Sequence, residues 1–153
     1  VFGRGGEELE ALTAAGVEVE IIPGITAGTA VPATLGIPVT HRSLARGVTF
    51  VTGHTKDGTE PDWAALARTG TTLVIYMGLK RLPQITSCLM EAGMKPETPA
   101  CIIENGTLGS QRQVVTTLGR LSPSGFQGPA LVVVGDVVRF ARDAAAGRQA
   151  RAA

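Results

Sequence analysis

The run Thr72-Leu73-Val74-Ile75-Tyr76-Met77 constrains this chain more than any other stretch. It is apolar almost throughout, too short for a stable helix, and it stops at Gly78 before a helical rhythm over 79–92. A strand without a polar face needs cover on both sides, the situation of an inner strand in an α/β sheet. A glycine and a helix directly at its end mark a strand feeding a crossover. The same grammar predicts strands over 48–52, 100–104, 113–118 and 130–134, and helices over 62–68 and 137–145. Between 104 and 113 the chain offers only Asn105-Gly106-Thr107-Leu108-Gly109 and its neighbours, too little for a helix. The strands on either side are therefore predicted to be antiparallel neighbours, which makes the sheet mixed.

The opening third reads differently. Leu9 and Leu12 lie three apart behind Glu7 and Glu8, which predicts a helix over 7–15 that Gly16 stops. Val17-Glu18-Val19-Glu20-Ile21-Ile22 alternates and then turns apolar, which predicts a strand ending at Pro23-Gly24. A helix rich in small residues follows over 26–35, with Thr26 as its cap and Pro32 as a disturbance near its end. One strand between two helices cannot bury a sheet on both faces. Residues 1–36 are accordingly expected to be the remnant of an amino-terminal α/β domain whose earlier strands lie upstream. Residues 37–43 are expected to form a linker, 44–144 a carboxy-terminal α/β domain, and 145–153, rich in alanine and arginine, a frayed tail.

Composition narrows the function. Fourteen basic residues against thirteen acidic ones give a net charge of +1, and the basic residues form no stripe, which argues against nucleic acid as a partner. No apolar run reaches the length of a membrane span, and the start resembles neither a secretory nor a transit peptide. Cys88 and Cys101 fall in no metal or redox spacing and read as reduced thiols of a cytoplasmic protein. His41 and His54 lack a third ligand at sensible spacing, so no metal site is expected.

Six runs then carry a resemblance: FGRGGEE at 2–8, VEIIPGITAGTA at 19–30, GIPVTHR at 36–42, VTFVTGH at 48–54, VIYMG at 74–78, and ENGT with a glutamine at 104–113. In this order and spacing they resemble the uroporphyrinogen-III C-methyltransferases of the tetrapyrrole methylase family. The resemblance covers nearly the whole chain. It implies two α/β domains with a cofactor cleft between them, a homodimer, and methyl transfer from S-adenosyl-L-methionine to uroporphyrinogen III, giving precorrin-2 by way of precorrin-1 for sirohaem or cobalamin. By the same resemblance Val1, Thr26, Ala27, Met77 and Gly106 match cofactor-contacting positions, and Arg4 and Arg42 match substrate-binding ones. Glu7, one turn beyond Arg4, either orients that arginine or accepts a pyrrole N–H, and is the one candidate catalytic residue. The family's first-strand motif and its GGDP-type turn lie ahead of FGRGGEE and are absent. The main catalytic residues are expected in that upstream part, and the chain by itself is expected to be less than fully active.

The chemistry agrees with these assignments without requiring them. A substrate with eight carboxylates calls for guanidinium groups, which grip a carboxylate bidentately. A nucleoside cofactor calls for an apolar slot and close backbone approach, which glycine and alanine permit. Plainer roles stay open for each residue: a solvated charge for Arg4, first-turn helix acids for Glu7 and Glu8, core packing for Met77, a cap for Thr26, a hairpin turn for Gly106. Two other readings of the whole stay open as well, a non-catalytic cofactor-binding or assembly module and a related precorrin methyltransferase.

Overall fold

The computed structural model describes residues 1–3, 5–55 and 58–142. Arg4 and the tail expected over 145–153 lie outside the described residues.

Among the described residues five strands form one sheet: β1 (Val48–Thr52), β2 (Thr72–Tyr76), β3 (Pro99–Glu104), β4 (Arg112–Thr117) and β5 (Ala130–Val134), in the order β1-β2-β5-β3-β4. β1 and β2 are parallel. β5 lies antiparallel between β2 and β3, and β4 pairs antiparallel with β3. The sheet is mixed, as expected, with β1, β2 and β3 pointing one way. Their carboxyl ends meet the starts of β4 and β5 along one edge, where Tyr76 pairs with Leu131 and Glu104 with both Ala130 and Arg112.

Alternation sorts the inner strands between two cores. Leu73, Ile75, Ala100, Ile102, Val132 and Val134 face one side, where they pack with Leu82, Ile85 and Leu89 of α4 (Leu82–Glu91) and Trp63 of α3 (Trp63–Arg68). Val74, Cys101, Ile103, Leu131 and Val133 face the other, with Val31 of α2 (Ala27–Thr34), Leu35, Ile37, Val137 and Val138. Period-two geometry makes an all-apolar strand serve both layers, which is why β2 and β5 read as continuous hydrophobic runs. Asp62 starts α3 by accepting the Ala65 N–H at 2.8 Å, a side-chain cap.

The opening helix α1 (Gly6–Ala14) buries none of its residues. It ends as Gly16 predicts: that glycine takes φ 71°, its N–H reaches the Thr13 carbonyl at 3.0 Å, and the Val17 N–H reaches Leu12 at 3.0 Å. α2 closes in the same manner on Gly36, with the Ile37 N–H on the Pro32 carbonyl. Pro32 sits inside α2 without ending it.

Three expectations need correction. The strand expected over 17–22 does not form: the segment pairs with no strand among the described residues, and Ile21 and Ile22 are 69% and 81% exposed. Alternation is a demand for a half-buried surface, and without a partner to hydrogen-bond the backbone it is not met. The helix expected over 79–92 opens as a 3₁₀ turn at Leu79–Arg81 before α4, and Pro83, which has no N–H to give, sits in the first α turn where none is needed. The helix expected over 137–145 is a 3₁₀ segment, Asp136–Phe140, as far as the described residues reach. Val137 and Val138 are buried there, and the Arg142 N–H turns to the Leu35 carbonyl at 2.8 Å.

Candidate functional site

At the edge where β1, β2 and β3 end, a cleft of about 550 Å³ opens between the sheet and α2. Ala27 and Val31 come from α2, Met77 from the turn after β2, Asn105 and Gly106 from the loop after β3, and Gln127 to Pro129 from the segment before β5. Carboxyl ends of parallel strands gather loops that the sheet itself holds rigidly, and open α/β sheets use that edge for ligands.

The backbone on this edge is strained. Met77 and Asn105 adopt φ of 53° and 50°, the left-handed region that costs a side chain energy, and Thr107 beside them stands at 71°. Such outliers persist where surrounding structure dictates them, and they gather at binding sites. Gly106 lies so close to α2 that a Cβ there would fall 2.5 Å from both Val31 methyl carbons. Gln111 fastens this loop to α2: its Oε1 accepts the Thr107 N–H at 2.7 Å and its Nε2 donates to Thr34 Oγ1 at 3.2 Å.

The opposite wall hangs on Glu104. Its side chain is 3% exposed; Oε1 accepts the N–H groups of Gln127 and Gly128 at 2.6 and 2.7 Å, and Oε2 accepts from Arg112 Nε and Nη2 at 2.8 and 2.5 Å. The two backbone N–H groups, then the guanidinium, hold its carboxyl well below the usual range, at about 2, so it is ionised at any ordinary pH. Arg112 also donates to the Gly125 carbonyl at 2.6 Å and lies over the Phe126 ring, 5.5 Å from its centre. The consequence is a loop from 125 to 129 held to the sheet edge by one buried carboxylate.

Tyr76 holds the third side. Its hydroxyl lies 2.5 Å from Thr26 Oγ1 and accepts the Gly28 N–H at 2.5 Å. Thr26 occupies the cap position of α2 by backbone geometry, but its side chain makes no capping bond, so the cap expected of Thr26 is replaced by the phenol of Tyr76. The ring packs edge-on against Phe2 at 5.1 Å and Phe50 at 6.4 Å.

Of the residues singled out in the sequence, Ala27, Met77 and Gly106 line this cleft, and Thr26 adjoins it through Tyr76. Val1 is 66% exposed and does not line it, although its neighbour Phe2 touches Tyr76. Glu7, on the first turn of α1, and Arg42, in the turn after His41, are exposed and stand outside the cleft lining. His41 accepts the Ser43 N–H at 3.2 Å and lies against Phe140, while His54 lines the cleft. Burial pushes the Cys101 thiol up to about 12, so it is no nucleophile at neutral pH. Among the described residues no three His, Cys, Asp or Glu side chains are placed to hold a metal ion. Sequence reasoning missed Tyr76, Glu104 and the 127–129 wall. Asn105 alone carried a local signal, since Asn before Gly favours positive φ.

The family Tetrapyrrole (Corrin/Porphyrin) Methylases matches residues 1–122. The chain is 48% identical over 143 residues to a uroporphyrinogen-III C-methyltransferase of Pseudomonas aeruginosa, an alignment covering 91% of this chain and 58% of that protein. It is 49% identical over 147 residues to an S-adenosyl-L-methionine-dependent uroporphyrinogen III methyltransferase of Methanosarcina barkeri, covering 92% and 58%. Among solved structures it resembles the uroporphyrin-III C-methyltransferase of Thermus thermophilus complexed with S-adenosylhomocysteine, with a TM-score of 0.77 and 38% identity, covering 91% of this chain and 62% of that one. The chain thus spans less than two thirds of the length of these relatives.

Proposed function

The chain belongs to the tetrapyrrole methylase family, and from that premise we propose that it forms the cofactor-facing part of an S-adenosylmethionine-dependent uroporphyrinogen-III C-methyltransferase. One observation carries the reading: Ala27, Met77 and Gly106, far apart in the chain, meet in a single cleft at the carboxyl edge of the sheet. The residues present fit the cofactor. Val31, Ile103 and Leu131 supply an apolar slot of the right size for a nucleoside, and Gly106 brings backbone against it. When bound, S-adenosylmethionine supplies a methyl group already activated on a sulfonium.

The work left to the protein is placement and charge. Met77 and Asn105, fixed in left-handed turns, set the rim, and Glu104 fixes the facing loop before any ligand arrives. Thr26 and Val1 are assigned to the cofactor, Arg4 and Arg42 to carboxylates of uroporphyrinogen III, and Glu7 to orienting Arg4 or accepting a pyrrole N–H. These roles rest on the resemblance of the runs that contain them. Homodimerisation and a cytoplasmic location complete the proposal, as does a division into an amino-terminal remnant over 1–36, a linker over 37–43 and a second domain from 44.

Calorimetric titration with S-adenosylhomocysteine tests the cofactor assignment. Binding is expected for the chain and is expected to be lost in Gly106→Val, whose side chain would enter the space of Val31. Equal binding by both would remove the cleft from consideration. Transfer of labelled methyl groups to uroporphyrinogen III, by the chain joined to the upstream part that its family resemblance calls for, tests the substrate, and Arg42→Ala is expected to raise KM for it.

A further inference from the structure

The cleft needs one wall made by α2, a helix of eight residues that contributes to the sheet's second core through its later turns. Its first turn has no cap of its own. The N–H of Gly28 finds its acceptor in Tyr76, 48 residues away, and Thr26 Oγ1 finds the same hydroxyl. A phenol has one proton to give and accepts well once. The Gly28 N–H is necessarily a donor to the phenol oxygen, whereas between Thr26 Oγ1 and the phenol either hydroxyl can donate.

Space on this side is fully used. A Cβ on Gly28 would run into the Tyr76 hydroxyl and the Phe50 ring, so helix and ring approach as closely as glycine permits. The strand ends at Tyr76, and the next residue is the left-handed Met77 of the cleft rim. One side chain therefore joins the start of α2, the ring of Phe2 and the turn at Met77.

We propose that Tyr76 is a positioning residue for the cofactor: its hydroxyl holds the first turn of α2, and with it Thr26 and Ala27, at the distance from Met77 that the adenosyl group requires. The inference rests on the cofactor reading above and adds to it a residue that acts through its neighbours. Tyr76→Phe keeps the ring contacts with Phe2 and Phe50 and removes only the hydroxyl. Gly28→Ala keeps the hydroxyl and pushes the helix off it.

Tyr76 is the only tyrosine of the chain, so a 3-fluorotyrosine label gives a single ¹⁹F resonance. That resonance is expected to move on saturation with S-adenosylhomocysteine. Calorimetry is expected to show both variants binding that ligand roughly tenfold more weakly than the unsubstituted chain, the order expected for one or two lost hydrogen bonds. Circular-dichroism melting of Tyr76→Phe is expected to fall by only a few degrees. If that variant fails to fold, Gly28→Ala decides. Unchanged affinity in both variants, or a resonance that stays in place at saturation, overturns the positioning role and leaves the cofactor reading standing. Absence of binding by the unsubstituted chain overturns the two together.

Discussion

At the scale of single residues, Glu104 shows how a charge is made safe in a buried place. Four hydrogen bonds, two from consecutive backbone N–H groups and two from Arg112, replace the water it has lost. Its carboxyl stands at about 2 in the folded chain against an ordinary 4.5, so the unfolded chain binds its proton first as the pH falls. The stabilisation is complete above about 4.5 and drains away between there and about 2. Glu104→Gln, which forfeits the charge, is expected to melt lower than the unsubstituted chain at pH 7, with the difference narrowing through that acid window. Melting curves taken stepwise from pH 7 to 2 check it, and a constant difference would contradict it. None of this was legible in the sequence, where Glu104 is merely the last residue of a strand. Asn105-Gly106 was half legible: the pair announces a turn, but not that Val31 of a distant helix leaves no room for a side chain there.

Elements were read well where their signals are local. β1 and β5 occupy the expected 48–52 and 130–134, because β-branched runs bounded by turn residues leave a five-residue segment few alternatives. The helices stop where glycine can turn left-handed, at Gly16 and Gly36. Gly36→Ala would force an alanine to φ 71°, and urea unfolding is expected to show a loss of about 1 kcal/mol. The segment 17–22 failed because its alternation is as good as that of any strand but no strand among the described residues pairs with it. The 3₁₀ segment Asp136–Phe140 failed for the opposite reason. Its residues suit a helix, yet burial of Val137 and Val138 against the sheet and the bond from Arg142 to Leu35 set its path.

For the molecule as a whole, stability resides in the sheet and its two cores, while the candidate site gathers at one edge. Ile22 contributes to neither core, being 81% exposed. Ile22→Asp is accordingly expected to leave the unfolding free energy of this chain within about 0.5 kcal/mol of its starting value. Chemical denaturation measures it, and a larger loss would mean that the segment packs where the structure shows it open. The sequence by itself determined the α/β class, the mixed sheet, most strand limits and, through six short runs, the family, because period, turn residues and motif order are properties of neighbouring positions. Only the tertiary structure decided that Ala27, Met77 and Gly106 share a cleft while Arg42 and Glu7 stand outside its lining. It alone decided that Tyr76 caps a helix and Glu104 anchors a loop. Those are contacts between residues 23 to 50 positions apart, and a backbone fixes such distances only after the sheet has brought its strand ends to one edge.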